Sequence, residues 1–231
     1  MTKLGMIVSR STLALSLVCA ALAAPSPAGD LSKYRDFQLG TDLSTIAKQI
    51  GKKPAEAKTI HRRPVLIQEL EWRPQPLGPS SKAEAAQEVI FSFYGGELFR
   101  IAVGYDRYAT EGLTTDDMVG AISATYGVAE KVAGPGSAAR DPYGDQEQVL
   151  ARWQDPQYRY DLIRSSYGPS FKLTGVLKRL EAPAEAATLE AQRLDDQEAP
   201  QRDADRVAAE QAAAEAKLEK ARLVNKPKFR P

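Results

Sequence analysis

The chain has 231 residues, 43% of them hydrophobic and 26% charged, with a formal charge of +1. Those proportions are ordinary for a globular protein. Acids and bases are interspersed, so the basic stripe of a nucleic-acid binder is excluded. One cysteine and one histidine leave no disulfide framework, no thiolate metal site and no histidine dyad to expect.

The one cysteine, Cys19, lies in an apolar run near the N-terminus. Lys3 and Arg10 precede that run, Ser11 to Leu22 form it, and Ala21-Leu22-Ala23 gives a small-x-small cleavage site followed by Pro25 and Pro27. This is the pattern of a secretory signal, so residues 1–23 are expected to be removed and the product to be exported, periplasmic or extracellular. The run is shorter than the roughly 20 residues of a spanning helix, and no later stretch of the mature chain is a transmembrane candidate. Lipidation at Cys19 is disfavoured, because Val18 and Ser16 stand where a lipid box has a small residue and a leucine. Residues 24–33 read as a loose lead.

The mature chain then alternates helix and strand signals. Leu43, Ile46, Ala47 and Ile50 share one helical face, with Thr41 or Asp42 as N-cap and Gly51 as the stop. Residues 63–74 read as a strand between Pro64 and Pro74, and 74–87 as a Pro/Gly/Ser loop. Val89, Phe91 and Phe93 alternate before Gly95-Gly96, and Phe99, Ile101, Val103 and Tyr105 alternate after it, which is a hairpin. Thr114 and Asp117 form a capping box for a helix with Met118, Ile122 and Tyr126 on its buried face and Gly127 at its end. After a loop over 128–147 come strands at 148–153 and 158–166, turned at Asp155-Pro156, and a third at 170–179.

This order predicts an α+β fold: two helix-then-three-antiparallel-strand units forming a helix-backed sheet, plus a C-terminal Ala/Glu-rich helix. The domain covers 34–180, with a candidate repeat in 34–106 and 112–180. Residues 181–231 form a helical, partly disordered tail. Pro200 is expected to split or kink it, and Val207, Ala214, Leu218 and Ala221 give it a thin, coiled-coil-like apolar stripe.

Phe37-Gln38-Leu39-Gly40 before the first helix, Tyr126-Gly127 after the second, and Trp72 and Trp153 on the strand following each helix carry a resemblance. The arrangement resembles the helix-plus-meander exported bacterial envelope proteins, among them the small lipoprotein of the outer-membrane β-barrel assembly machinery and the secreted β-lactamase inhibitor proteins. The resemblance implies function by protein binding, without catalysis. The chain departs from these proteins in lacking a lipid-attachment cysteine and the inhibitors' disulfides, and in its long tail.

No catalytic, cofactor or metal motif emerges. Gly134 to Ala139 partly matches a dinucleotide fingerprint but does not join a strand to a helix. Asp141, Asp145 and Glu147 make an acidic loop without calcium-loop spacing. Asp106, Glu111, Asp116 and Asp117 are accounted for by capping and strand ends. Two surfaces remain as candidates. Trp153, Tyr158 and Tyr160, with Arg152, Arg159 and Arg164, have the composition of a protein-binding patch. Arg62 and Arg63, beside His61, have that of an anion contact. The expectation is a non-enzymatic exported protein that binds another envelope protein through its domain or its tail. The alternatives are a binder of cell-wall glycan or another anionic ligand, using those arginines and the 134–147 loop, and a hydrolase.

Overall fold

A computed structural model describes residues 29–74, 85–132, 138–140, 146–165, 171–228 and 230. The signal segment and most of the loops at 74–87 and 134–147 lie outside the described residues, and with them the glycine-rich stretch and the acidic loop.

The described chain opens with a small hairpin, β1 (Lys33–Tyr34) and β2 (Phe37–Gln38), then α1 (Leu43–Gln49). β3 (Lys58–His61), β4 (Ile67–Trp72), β5 (Ala86–Tyr94) and β6 (Glu97–Tyr105) follow as an antiparallel meander. After α2 (Thr115–Tyr126) come the short β7 (Glu130–Lys131) and β8 (Ala138–Arg140), then β9 (Gln146–Gln154), β10 (Tyr158–Ser165) and β11 (Phe171–Leu177). The chain ends in α3 (Lys178–Asn225) and one 3-10 turn.

All strands after the first hairpin belong to one sheet, ordered β3-β4-β5-β6-β11-β10-β9-β7, with β8 also on β9. Each half therefore offers its last strand, β6 or β11, to the other half. The sheet meets in the middle as one surface.

One row of side chains crosses that junction on a single face. Leu70 faces Phe91, Phe91 faces Ile101, Ile101 faces Gly175, Gly175 faces Tyr160 and Tyr160 faces Trp153. Strand alternation places them all on the side covered by α1 and α2, whose Ile46, Ala47, Met118, Ile122 and Tyr126 complete the same core. The first hairpin joins this layer through Tyr34 and Phe37, the latter packed edge-on against Trp72 and Phe91.

The caps are those the sequence predicts. Asp42 accepts from the Thr45 amide at 3.0 Å, and Thr114 and Asp117 exchange the reciprocal bonds of a capping box. Asp155 accepts from the amides of Gln157 and Tyr158, which fixes the β9–β10 turn.

Two expectations need correction. The strand expected over 63–74 is confined to Ile67–Trp72, and β3 was not anticipated. Lys58–His61 contains one aliphatic residue and lies at the sheet edge, where no apolar face is required. The tail is also not split at Pro200: one helix of 48 residues, Lys178–Asn225, runs through Pro183 and Pro200. Arg202 reaches back across Pro200 to the side chain and carbonyl of Asp195, at 3.1 and 2.9 Å, and bridges the interrupted turn.

Candidate partner surface

Strand pairing places Arg152 and Arg159 on the face opposite Trp153, Tyr158 and Tyr160, while Arg164 shares the aromatic face. Trp153 and Tyr160 are core residues, each 1% exposed. The Trp153 indole N–H donates to the Gly127 carbonyl at 3.0 Å and to Ser123 Oγ at 3.2 Å, locking the end of α2. Tyr160 stacks on Tyr126 with ring centroids 4.5 Å apart, and Tyr126 donates its hydroxyl to the Lys33 carbonyl at 3.2 Å. Burial raises the phenol pKa of both rings, that of Tyr126 to about 12. A partner surface that includes these two rings is thereby corrected. The sequence shows aromatic alternation, but not which face a helix covers.

Tyr158, next on the same face of β10, is half-buried. It lines a cleft of about 430 Å³ with Leu39, Gly40, Leu177, Lys178 and Arg179. The cleft is formed where the β9–β10 turn, the approach to α1 and the root of α3 meet. Its wall is held by Lys178, whose ammonium donates to Gln154 Oε1 at 2.9 Å and to the Asp155 carbonyl at 2.7 Å. Arg179 pairs with Glu97. Leu39 and Leu177, both buried, lie at its floor, and Lys178 and Arg179 supply charge.

On the other face Arg152 and Arg159 form a structural network. Asp161, buried among them, accepts from Arg152 Nε at 2.6 Å and Nη2 at 3.1 Å, and from Arg159 Nε at 3.0 Å. Arg159 also pairs with Glu181 at the start of α3. The Asp161 and Glu181 bonds raise the directional specificity of the contact, and they hold the helix root to the sheet. Farther along, Glu69, Ser92 and Arg100 bond one another at 3.2–3.3 Å. Arg164, back on the face of Tyr158 and Tyr160, lies over the Phe171 ring, 5.1 Å from its centroid.

No family model, curated protein or solved structure gives a significant match to this chain.

The anion contact is likewise rearranged. Arg63 is paired with Glu198 of α3, and Arg62 is exposed. His61 lies in edge strand β3. Asp106 caps the turn after β6 by accepting from the amides of Tyr108 and Ala109, at 2.8 and 2.9 Å. Among the described residues, no group of three or more His, Cys, Asp or Glu side chains is placed to hold a metal ion, and no helix is long and apolar enough to cross a membrane.

α3 is the element whose geometry the sequence did not convey. Ala184, Ala187 and Ala191 are buried, and the helix lies against β6 and β11. Alanines let its backbone approach the sheet closely. Every residue from 201 to 228 is exposed. At ~1.5 Å per residue, the 48-residue helix is about 72 Å long, so roughly half of it extends beyond its contacts with the domain.

Proposed function

We propose that this is a non-enzymatic exported envelope protein that binds another protein. The observation that carries this reading is α3. Its first half is fixed to the sheet by three buried alanines and by ion pairs from Glu181, Arg179 and Glu198, while its second half stands clear of the domain. That second half adds nothing to the core, and its length suits a spacer or docking arm.

In this reading the α+β domain recognises the envelope partner at the cleft beside the root of α3. Tyr158 would pack on an apolar side chain, and Lys178 and Arg179 would meet acidic groups at the rim. The fit with interface chemistry is an amphipathic aromatic flanked by cations. Resemblance to helix-plus-meander envelope proteins supports the same class of function.

The test is a cross-linking pull-down from the native envelope using three forms of the exported protein: the whole chain, a chain ending at Ala199, and Tyr158→Ala with Lys178→Glu. A specific partner captured by the first two and lost from the third is the expected result. No specific partner with any form would overturn the proposal. Export is tested separately, by the mass and N-terminal sequence of the product, expected to begin at Ala24.

A further inference from the structure

Beyond the envelope partner, the bare half of α3 has a pattern of its own. Ala204, Val207, Ala214, Leu218 and Ala221 recur at heptad a and d spacing, with Gln211 at the intervening a position. The helix is continuous over this stretch, and Val207 and Leu218 are 44% and 71% exposed. The stripe alone does not identify an occupant. The charges beside it do.

In this register Glu210 and Lys217 are g positions, and Glu215 and Arg222 are e positions. Pairing two copies in parallel would set Glu210 against the other Glu215, and Lys217 against the other Arg222. Each clash occurs twice by symmetry, and like charges at these sites oppose association. Pairing two copies antiparallel opposes g to g. Glu210 then meets the other Lys217, twice, and both contacts are attractive. The same alignment layers Ala204 on Ala221, Val207 on Leu218 and Gln211 on Ala214. Gln211 thus faces a methyl group, and a polar a residue of this kind favours one register over shifted ones. Arg206, which bonds Glu210 at 3.0 Å within its own helix, lies at a c position outside the seam.

We infer that the projecting half of α3 is a self-recognition element, pairing antiparallel with the same segment of a second copy. The paired length, 204–221, spans on the order of 27 Å at the helical rise. The two domains are carried to opposite ends of the pair, which leaves the cleft at each helix root open. Three alanine positions in the seam permit an axis separation at the short end of the usual ~8–10 Å range.

The experiment is sedimentation equilibrium on purified chain from residue 24 onward, at low salt over a wide concentration range. The expected result is a monomer–dimer equilibrium. Glu210→Lys should weaken the dimer about tenfold or more, since each g–g contact becomes a repulsion. Glu210→Lys with Lys217→Glu should restore it, and Leu218→Asp should abolish it. All these positions lie outside the domain core, so the unfolding midpoint of the domain should not move. A monomer at every concentration overturns the inference. So does a stronger dimer on Glu210→Lys, because that charge reversal favours the parallel pair. Only this chain is present in the cell, so a monomer leaves envelope binding untouched, and loss of the envelope partner in the pull-down leaves the dimer untouched.

Discussion

Gly175 sits in the middle of β11, directly opposite Tyr160, in a row of core residues that spans both halves of the sheet. A methyl group built on it would lie 2.4 Å from Tyr160 Cε1 and 2.6 Å from Cζ, about 1 Å inside ordinary van der Waals contact. The ring has little room to retreat. It is 1% exposed, stacked on Tyr126 and paired with Trp153 across β9. Two effects oppose each other in Gly175→Ala. Restricting the unfolded chain stabilises by about 0.4–1 kcal/mol. Forcing a methyl into a filled core costs about 1–3 kcal/mol, and the 2.4 Å approach puts this site at the upper end. The net expectation is a loss of about 2–2.6 kcal/mol, read as a lower urea midpoint at unchanged slope. The decisive arm is a double-mutant cycle with Tyr160→Leu, which removes the ring. In that background Gly175→Ala should cost nothing or stabilise slightly, giving a coupling energy of at least about 1 kcal/mol. Equal cost in both backgrounds would show that the clash with Tyr160 is not the reason for the glycine.

Asp161→Ala should destabilise by about 3 kcal/mol, because it leaves Arg152 and Arg159 facing each other without their shared carboxylate; chemical denaturation measures it, and a loss under 1 kcal/mol would make the network ornamental. Thr114→Ala removes one side of the α2 capping box and should cost about 1 kcal/mol in the same assay. Acid should destabilise the fold in a defined window. Hydrogen bonds from Ser44 and Thr45 hold the Asp42 carboxyl at about 2 rather than the usual 3.8, and bonds from Thr114 lower that of Asp117. A carboxyl depressed on folding contributes stability that is present above its unfolded pKa and lost as pH falls through its folded one. The melting temperature should therefore decline from about pH 4 toward pH 2, and Asp42→Asn should flatten that decline; an unchanged slope in the variant would refute the assignment to Asp42.

Much of the fold was legible because local signals and the global packing agree. Gly95-Gly96 between two alternating runs specifies the β5–β6 hairpin, and both glycines adopt positive φ, 59° and 87°. The Thr114–Asp117 box marks the start of α2, and Gly127, also at positive φ, marks its end. The edge strands β3 and β7 were not legible, since Lys58–His61 and Glu130–Lys131 take their pairing from a neighbouring strand and not from any pattern of their own. At the candidate surface the residue types were right for an interface, but their partition was hidden. Tyr158 and Tyr160 have the same parity on β10, yet one lines the cleft and the other lies under α2 and against Tyr126. Periodicity reports the face of a strand, not how far along it a helix reaches. Asp161 carried no visible signal, because its two arginines come from β9 and from its own strand, and become convergent only through the Arg152–Asp161 register pair.

α3 shows the same limit in a single element. Its two halves share an Ala/Glu/Arg composition, and composition alone assigns both to a solvated helix that is marginal when isolated. The first half differs because the sheet offers it a surface: Ala184, Ala187 and Ala191 fall at spacings of three and four, and Glu181, Arg179 and Glu198 each find an opposite charge on another strand or loop. Docking of that half completes the costly nucleation step. Beyond Pro200, which has no N–H to give, each further residue adds one hydrogen bond to an existing helix, in a segment rich in strong helix formers, with Arg206–Glu210 and Arg222–Glu219 pairs adding small increments. The projecting half thus inherits its order from the domain instead of generating it. The arm is consequently straightened and presented only when the domain is folded, which ties the availability of the Val207–Leu218 stripe to the integrity of the sheet behind it.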